Sequence, residues 1–250
     1  MFQGFYTLTS GVLSQNRNLD VISNNMSNVS TPGYKADRLI LSDFQKELVN
    51  RVGNKDKSVY TPIGSKSMMT AGVETVTDFS ENAVKRTSST LDFSISGRGF
   101  FCIQTENGTV YTRNGNFSLD NEGYLTLPGI GRVLGQNGPI RPGTDRIQAD
   151  ALGNIASEDG RTVYGRLQVV DFQDYDTQLK KGDGNFFTAS GAALPSEAKV
   201  QWMTLETSNA SVVDQMTRMM ASQRALQSSA QIMKMYDQLT DKMVSQISIV

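Results

Sequence analysis

The sequence predicts an α+β fold in which long N- and C-terminal helices pair as a coiled coil and a β-rich domain is inserted between them. Three observations carry that prediction. Residues 1–30 and 205–250 contain no proline and repeat apolar residues at helical spacing. Residues 91–200 instead hold 16 of the 22 glycines and four of the six prolines. Within that stretch, turn dipeptides separate short β-prone runs. The expected organisation is therefore a helical part from residues 1–34 and 205–250, an extended or irregular connecting segment over 35–90, and a β-rich domain over 91–204.

The first helix rests on Phe5, Leu8, Val12, Gln15, Leu19, Ile22, Met26 and Val29, which alternate at spacings of three and four. Such a seam asks for a helical partner. The helix is expected to stop at Thr31-Pro32-Gly33, because proline disfavours a helical residue before it and cannot extend the hydrogen-bond ladder. Its other faces are unusual. The first 34 residues carry only Arg17 and Asp20 as charges, and Asn16, Asn18, Asn24, Asn25, Asn28 and several serines fill positions where a solvated helix places Lys or Glu. Asparagine and serine are poor helix-interior residues because their side chains compete for the backbone. Packing on more than one face stabilises such a helix, although an ordinary amphipathic helix lying on its own domain is the plainer alternative.

The middle domain follows from Phe100–Thr105, Thr109–Arg113, Phe117–Asp120 and Tyr124–Leu127, separated by Asn107-Gly108, Asn114-Gly115 and Glu122-Gly123. That rhythm predicts a meander of short antiparallel strands. The second helix rests on Val212, Met216, Met219, Leu226 and Met233, with Gln223 and Ala230 in the gaps. A second stripe follows through Ile232, Tyr236, Leu239, Met243 and Ile247, so the seam is expected to shift by one position midway. Six of the eleven methionines lie in this helix, where unbranched thioethers suit an adaptable interface. Ser208 or Ser211 is placed to cap it, the latter with Asp214 three residues on.

Composition removes several functions. The 250 residues contain no histidine and one cysteine, Cys102. Imidazole catalysis, a Cys/His zinc site and an intrachain disulfide are thereby excluded. Net charge is -1, which gives no bulk attraction for nucleic acid. No apolar run of about 18 residues predicts membrane insertion, and the N-terminus lacks the basic region and continuous apolar core of a secretory signal. A cytoplasmic protein is expected, or one exported with its N-terminus retained. Candidate chemistry is weak. Ser196-Glu197-Ala198-Lys199 has acyltransferase spacing without companion motifs. Asp171, Asp174 and Asp176 lack the glycine and terminal Glu of a calcium loop. Gly97-Arg98-Gly99 lacks a third glycine and opens onto a strand-like run, so it is no dinucleotide fingerprint. No catalytic residue, cofactor or metal ligand is predicted, and an assembling structural protein is favoured over an enzyme or carbohydrate-binding β module and over a free-standing coiled-coil scaffold.

The stretch Asn24-Asn25-Met26-Ser27-Asn28-Val29-Ser30-Thr31-Pro32-Gly33-Tyr34-Lys35 closely resembles the N-terminal signature of bacterial flagellar rod and hook proteins. Gly97-Arg98-Gly99-Phe100-Phe101 with Tyr111–Phe117 looks like that family's central block. Leu205-Glu206-Thr207-Ser208-Asn209, continuing through Met219 to Gln223-Arg224-Ala225, is similar to its C-terminal signature. The resemblance implies export without a cleaved signal through the flagellar type III apparatus. It further implies stacking of the terminal helices into a tubular axial core in the basal body with the β domain outside, and transmission of torque from motor to hook. Partners would be other rod subunits, copies of the chain itself, the export apparatus, and hook or ring proteins. Phe5, Leu8, Val12, Leu19, Ile22, Met26 and Val29 with Val212, Met216, Met219, Leu226, Met233, Tyr236, Leu239 and Met243 would form the interfaces between helices and subunits. Asn24, Asn25 and Asn28 would be polar contacts inside the packed tube. Length suits both the proximal, FlgF-like and the distal, FlgG-like rod subunits. Val163–Val170 and Lys181–Gly184 look more like the proximal type, Leu205–Asn209 is at least as close to the distal one, and the distal type's longer insertion is not recognised in residues 36–90. The resemblance therefore implies a proximal, FlgF-like subunit with the distal type as the alternative.

Overall fold

The computed structural model of the chain describes residues 2–52, 60–182, 184–196 and 198–247. It opens with α1 (Phe2–Ser27), contains a one-turn α2 (Tyr175–Gln178) and closes with α3 (Val212–Ile247), and the region between α1 and α3 is β-rich. Compactness divides the chain in two. One unit comprises Met1–Met26, Asp37–Val76 and Val212–Val250, and the other comprises Ser27–Ala36 and Thr77–Ser211.

The first unit holds α1, α3 and a two-stranded ribbon of β1 (Asp37–Val52) and β2 (Tyr60–Thr77). Much of the connecting segment is thus paired backbone, although its sequence shows no alternation of polar and apolar residues. The ribbon is tied to α1 by side-chain groups. Asn25 uses its amide as a strand would, donating to Asp37 O at 2.7 Å and accepting from Asp37 N at 2.9 Å. Arg17 Nη1 donates to Gly72 O at 2.9 Å.

Two contacts set α1 against α3. Asn18 Nδ2 donates to Ser222 Oγ at 2.9 Å, and a Cβ on Gly4 would lie 2.5 Å from Tyr236 Oη. Fourteen residues separate these points on each helix, in opposite directions, so the helices run antiparallel between them. Burial follows the same period. On α1 the covered row includes Gly4, Leu8, Gly11, Gln15, Asn18, Ile22 and Asn25. On α3 it includes Gln215, Met219, Ser222, Leu226, Ser229, Met233 and Tyr236.

This row differs from the seam that apolar spacing predicts. Leu8, Gln15 and Ile22 are common to both, but the contacts with α3 come from Gly4 and Asn18, one position before Phe5 and Leu19, while Asn25 holds the ribbon. Phe5 is exposed, and Val12, Leu19, Met26 and Val29 are half-buried. On α3, Met219, Leu226, Met233, Tyr236 and Met243 are half-buried, whereas Val212, Met216 and Leu239 are exposed. The row does not shift midway, because Ser222 and Ser229 carry it through the gap between the two apolar stripes. Small and amide side chains permit close approach at Gly4–Tyr236 and a hydrogen bond at Asn18–Ser222.

α1 ends earlier than Pro32 requires. Its last helical residue is Ser27, and Thr31 closes the following turn by donating from N to Asn28 O at 3.1 Å and from Oγ1 to Asn28 Oδ1 at 3.2 Å. α3 begins directly after Ser211. Its Asp214 accepts from Arg218 Nε at 2.8 Å one turn later, an exposed pair contributing a few tenths of a kcal/mol, about 0.3–0.5.

The second unit is built around β5. In chain order its first strands are β3 (Val84–Arg86), β4 (Phe93–Ser96), β5 (Phe100–Thr105), β6 (Gly108–Thr112), β7 (Ser118–Leu119), β8 (Leu125–Leu127) and β9 (Gly131–Gly135). β5 and β6 form a hairpin across Glu106-Asn107. The next strand does not continue a meander. The chain crosses to the far edge for β7 and returns through β8 and β9, and β9 pairs with the other edge of β5 beside Val169–Asp171. β5 is consequently buried on both faces. Phe101 and Ile103 join Phe93, Phe117, Leu125 and Val133 in one cluster, while Phe100 and Cys102 join Val170, Phe172 and Phe187 in the other. Alternation of side chains across one strand explains why Phe100-Phe101-Cys102-Ile103 is apolar throughout.

Candidate functional site

Within the second unit, the three stretches that carried the family resemblance meet. Gly33 takes φ +64°, and a Cβ there would lie 2.4 Å from Arg113 C and 2.5 Å from Asn114 N. Both the left-handed backbone and the lack of space therefore require glycine. Gly33 N donates to Glu206 O at 2.8 Å, and Asn209 N donates to Tyr34 O at 3.3 Å. Ala36 N donates to Asn209 Oδ1 at 2.7 Å, and Asn209 Nδ2 reaches Asp78 O at 2.8 Å. Incoming and outgoing chain are thus stitched together. Leu205 stands opposite Lys85 where Thr204–Glu206 pairs with β3.

The centre of this junction is ionic and dry. Lys35 Nζ donates to Glu206 Oε1 at 2.6 Å and to Ser80 O at 2.7 Å. Arg113 Nη1 lies 3.4 Å from Glu206 Oε2, and its Nη2 donates to Gly97 O at 2.8 Å. Asn82 N also donates to Oε1, at 3.3 Å. The side chains of all three ionic residues are only 1–2% exposed. Burial pushes the Lys35 ammonium below its ordinary 10.5, the Glu206 carboxylate opposes that shift, and Arg113 adds to it. One anion serves two cations, so Glu206 is the residue whose loss leaves most charge uncompensated.

The surrounding motif residues are fixed as well. Thr207 N donates to Ala83 O at 3.0 Å. Asn82 Nδ2 donates to Thr207 Oγ1 at 3.1 Å and also bonds Ser208 O. Ser208 Oγ accepts from Ala210 N. Lys181 sits 4.1 Å from the Tyr34 ring centroid and donates to Lys35 O at 2.6 Å, while Asn185 Nδ2 donates to Pro32 O at 3.3 Å. Lys35 and Glu206 stood in the sequence as motif residues without a stated partnership. Arg113 stood in the central block and Lys181 in a stretch resembling the proximal type, but Ser80 and Asn82 carried no signal, since each acts through a contact distant in the chain.

The remaining sequence candidates have structural tasks. Ser196 Oγ donates to Arg98 O at 2.6 Å and accepts from Ala198 N, and Glu197 lies outside the described residues. Asp174 caps α2 through Asp176 N and Thr177 Oγ1. Asp171 accepts from Tyr175 Oη at 2.5 Å and pairs with exposed Arg98 at 3.4 Å. Burial pushes the Cys102 thiol up to about 12. Among the described residues no group of three His, Cys, Asp or Glu is placed to hold a metal, and no helix is long and apolar enough to cross a membrane. Of the three asparagines of the N-terminal signature, Asn25 is buried, Asn28 half-buried and Asn24 exposed.

Comparison with known proteins places this geometry. Family models match at three places: the flagella basal body rod protein model over residues 5–35, the flagellar hook protein FlgE/F/G D1 domain over 94–154, and the flagellar basal body rod FlgEFG protein C-terminal model over 204–247. The chain is 32% identical to flagellar basal-body rod protein FlgG of Bacillus subtilis (strain 168), over 98% of this chain and 99% of that one. It is 29% identical to flagellar basal-body rod protein FlgF of Caulobacter vibrioides, over 93% of each. It is also 26% identical to the flagellar hook-basal body complex protein FlhO of Bacillus subtilis (strain 168), over 99% of each. Full-length similarity, and the meeting of all three matched regions' motifs around Lys35, Arg113 and Glu206, have one consequence: the chain belongs to the family of flagellar basal-body rod proteins.

Proposed function

We propose that the chain is a structural, non-catalytic subunit of the flagellar basal-body rod in the cell envelope. Its terminal helices pair as a coiled coil and pack against further copies and other rod subunits, so that the assembled shaft carries torque from motor to hook. Export through the flagellar type III apparatus without a cleaved signal, and contacts with hook or ring proteins, belong to the same reading. One observation carries it: α1 and α3 leave Phe5, Tyr6, Leu13, Val212, Val213, Met216, Met220, Met235 and Leu239 exposed on a single chain, far more apolar side chain than two solvated helices present.

Between rod types, relatives bear both names. The FlgG chain of Bacillus subtilis has the higher identity and the fuller coverage, which favours the distal, FlgG-like type over the proximal type that Val163–Val170 suggested. The decisive experiment is complementation. In a strain lacking the chain, the full-length protein should restore rods and swimming, whereas chains lacking residues 2–27 or 212–247 should restore neither. Restoration by either truncated chain would overturn the proposal.

A further inference from the structure

A cavity of about 440 Å³ opens on the β-rich unit and shares no residue with the ionic junction. Its lining includes Thr90, Asp145, Arg146, Gln148, Glu158 and Trp202, the chain's only tryptophan. The wall comes from two antiparallel strands, Ile147–Ala149 and Asn154–Ser157, in which Ile147 stands opposite Ser157. Ile147 and Ile155 are buried in the core. Side chains alternate across a strand, so Arg146 and Gln148 take the outer face. Glu158 stands beside Arg146, its N donating to Arg146 O at 3.3 Å.

Trp202 is held in place from below. It closes the strand Lys199–Trp202, opposite Phe93, and packs half-buried against the core. Its Nε1 donates to Thr90 O at 2.7 Å, and Thr90 Oγ1 donates to Asp145 O at 2.5 Å. Ring and loop are thereby fixed to each other before any ligand arrives. With its one N–H committed, the indole has only hydrocarbon surface to offer. The polar side chains are in the opposite condition. Asp145, Arg146, Gln148 and Glu158 make no side-chain hydrogen bond or ion pair among the described residues. Elsewhere on the unit, Asp120, Arg132, Asp150 and Arg166 are engaged by neighbouring loops and strands.

We infer that this cavity binds a neutral pyranoside of one or two rings, stacked on Trp202, with its hydroxyls bonded to Asp145, Arg146, Gln148 and Glu158. The volume falls within the roughly 300–1,000 Å³ of small-ligand sites. The unused groups are two carboxylates, one guanidinium and one amide. An anion would face two carboxylates against one guanidinium, and a cation would face that guanidinium. A neutral polyhydroxyl ring meets neither obstacle. Its hydroxyls use donors and acceptors alike, and its C–H face covers the apolar indole. The inference goes beyond the rod-subunit reading and does not depend on it.

Because the chain has one tryptophan, its emission reports on this cavity alone. Cellobiose, whose equatorial rings present flat C–H faces, is titrated into the full-length chain. The expected result is a saturable change in Trp202 emission together with slower quenching by acrylamide. Glu158→Ala and Gln148→Ala, which remove side chains without partners in the fold, should each weaken binding by about tenfold. Glu106→Gln, at an exposed residue outside the cavity, should bind as the native chain does. Absence of both optical effects, or native affinity in both cavity variants, overturns the inference. Tighter saturation by arginine or by glucuronate than by cellobiose overturns the assignment to a neutral sugar.

Discussion

Lys35 and Glu206 lie 171 positions apart and form an ion pair of 2.6 Å whose side chains are 1% and 2% exposed. Each belongs to a different end of the chain, and Arg113 joins them from the β unit. Glu206→Gln removes the carboxylate paired with two buried cations and is expected to cost about 3–5 kcal/mol. Lys35→Met keeps most of the packed volume, removes a desolvated charge and leaves Glu206 with Arg113 and Asn82 N, so it should cost less than half as much. Urea unfolding of both variants checks the order. Equal losses would show that the pair, rather than the surplus cation, sets the energetics.

The same pair has a pH signature. Because burial holds the folded Lys35 below 10.5, the unfolded chain binds more protons between the folded value and 10.5. Stability from this group therefore rises with pH across that window and is flat below it. Unfolding free energies of the native chain and Lys35→Met should diverge in favour of the native chain only as pH approaches 10.5. Divergence towards acid pH instead would reverse the sign assigned to burial.

Gly33→Ala meets two obstacles, and a second glycine separates them. Gly160 has nearly the same backbone, φ +68°, with nothing within 4 Å of its notional Cβ. Gly160→Ala should lose only the conformational term, about 1–3 kcal/mol. Gly33→Ala must also displace the backbone of Arg113 and Asn114, and its melting temperature should fall further. Similar melting temperatures would mean that the junction yields without cost.

Cys102 is expected to be silent towards iodoacetamide at pH 8 in the folded chain, because a thiol pushed up to about 12 has almost no thiolate there. Mass spectrometry should find it alkylated only after denaturant is added. Labelling of the native chain at the rate of an ordinary thiol would place the strand around it in open exchange.

Asn24 distinguishes folding from assembly. It is exposed in the single chain, so Asn24→Asp should lower the unfolding midpoint less than Ile22→Asp does. If its amide packs between subunits in the rod, a buried unpaired charge should then impair swimming. Ile22→Asp, at a buried position, should harm both. Swimming by Asn24→Asp at the native rate would remove Asn24 from the proposed interface.

What the sequence made legible follows from how each feature is encoded. Helices and turns leave local marks, so α1, α3 and the strand run Phe100–Thr105 were readable. The contacts of α1 were partly missed, because Gly4 and Asn18, which meet α3, and Asn25, which holds the ribbon, are gaps in an apolar pattern. The β1–β2 ribbon was hidden because Asp37–Val52 and Tyr60–Thr77 show no alternation. The ionic junction was hidden for a different reason. Lys35, Arg113 and Glu206 read singly as surface charges, and only their meeting makes burial affordable. Their place in family motifs marked them as important without giving the chemistry.

The central claim is that the terminal helices are completed by assembly. Amide hydrogen exchange tests it directly, comparing the dilute full-length chain with its polymer. In the dilute chain α1 and α3 are expected to exchange faster than β5 and β6, and in the polymer all four are expected to be strongly protected. Equal protection of α1 and α3 before and after assembly would contradict it.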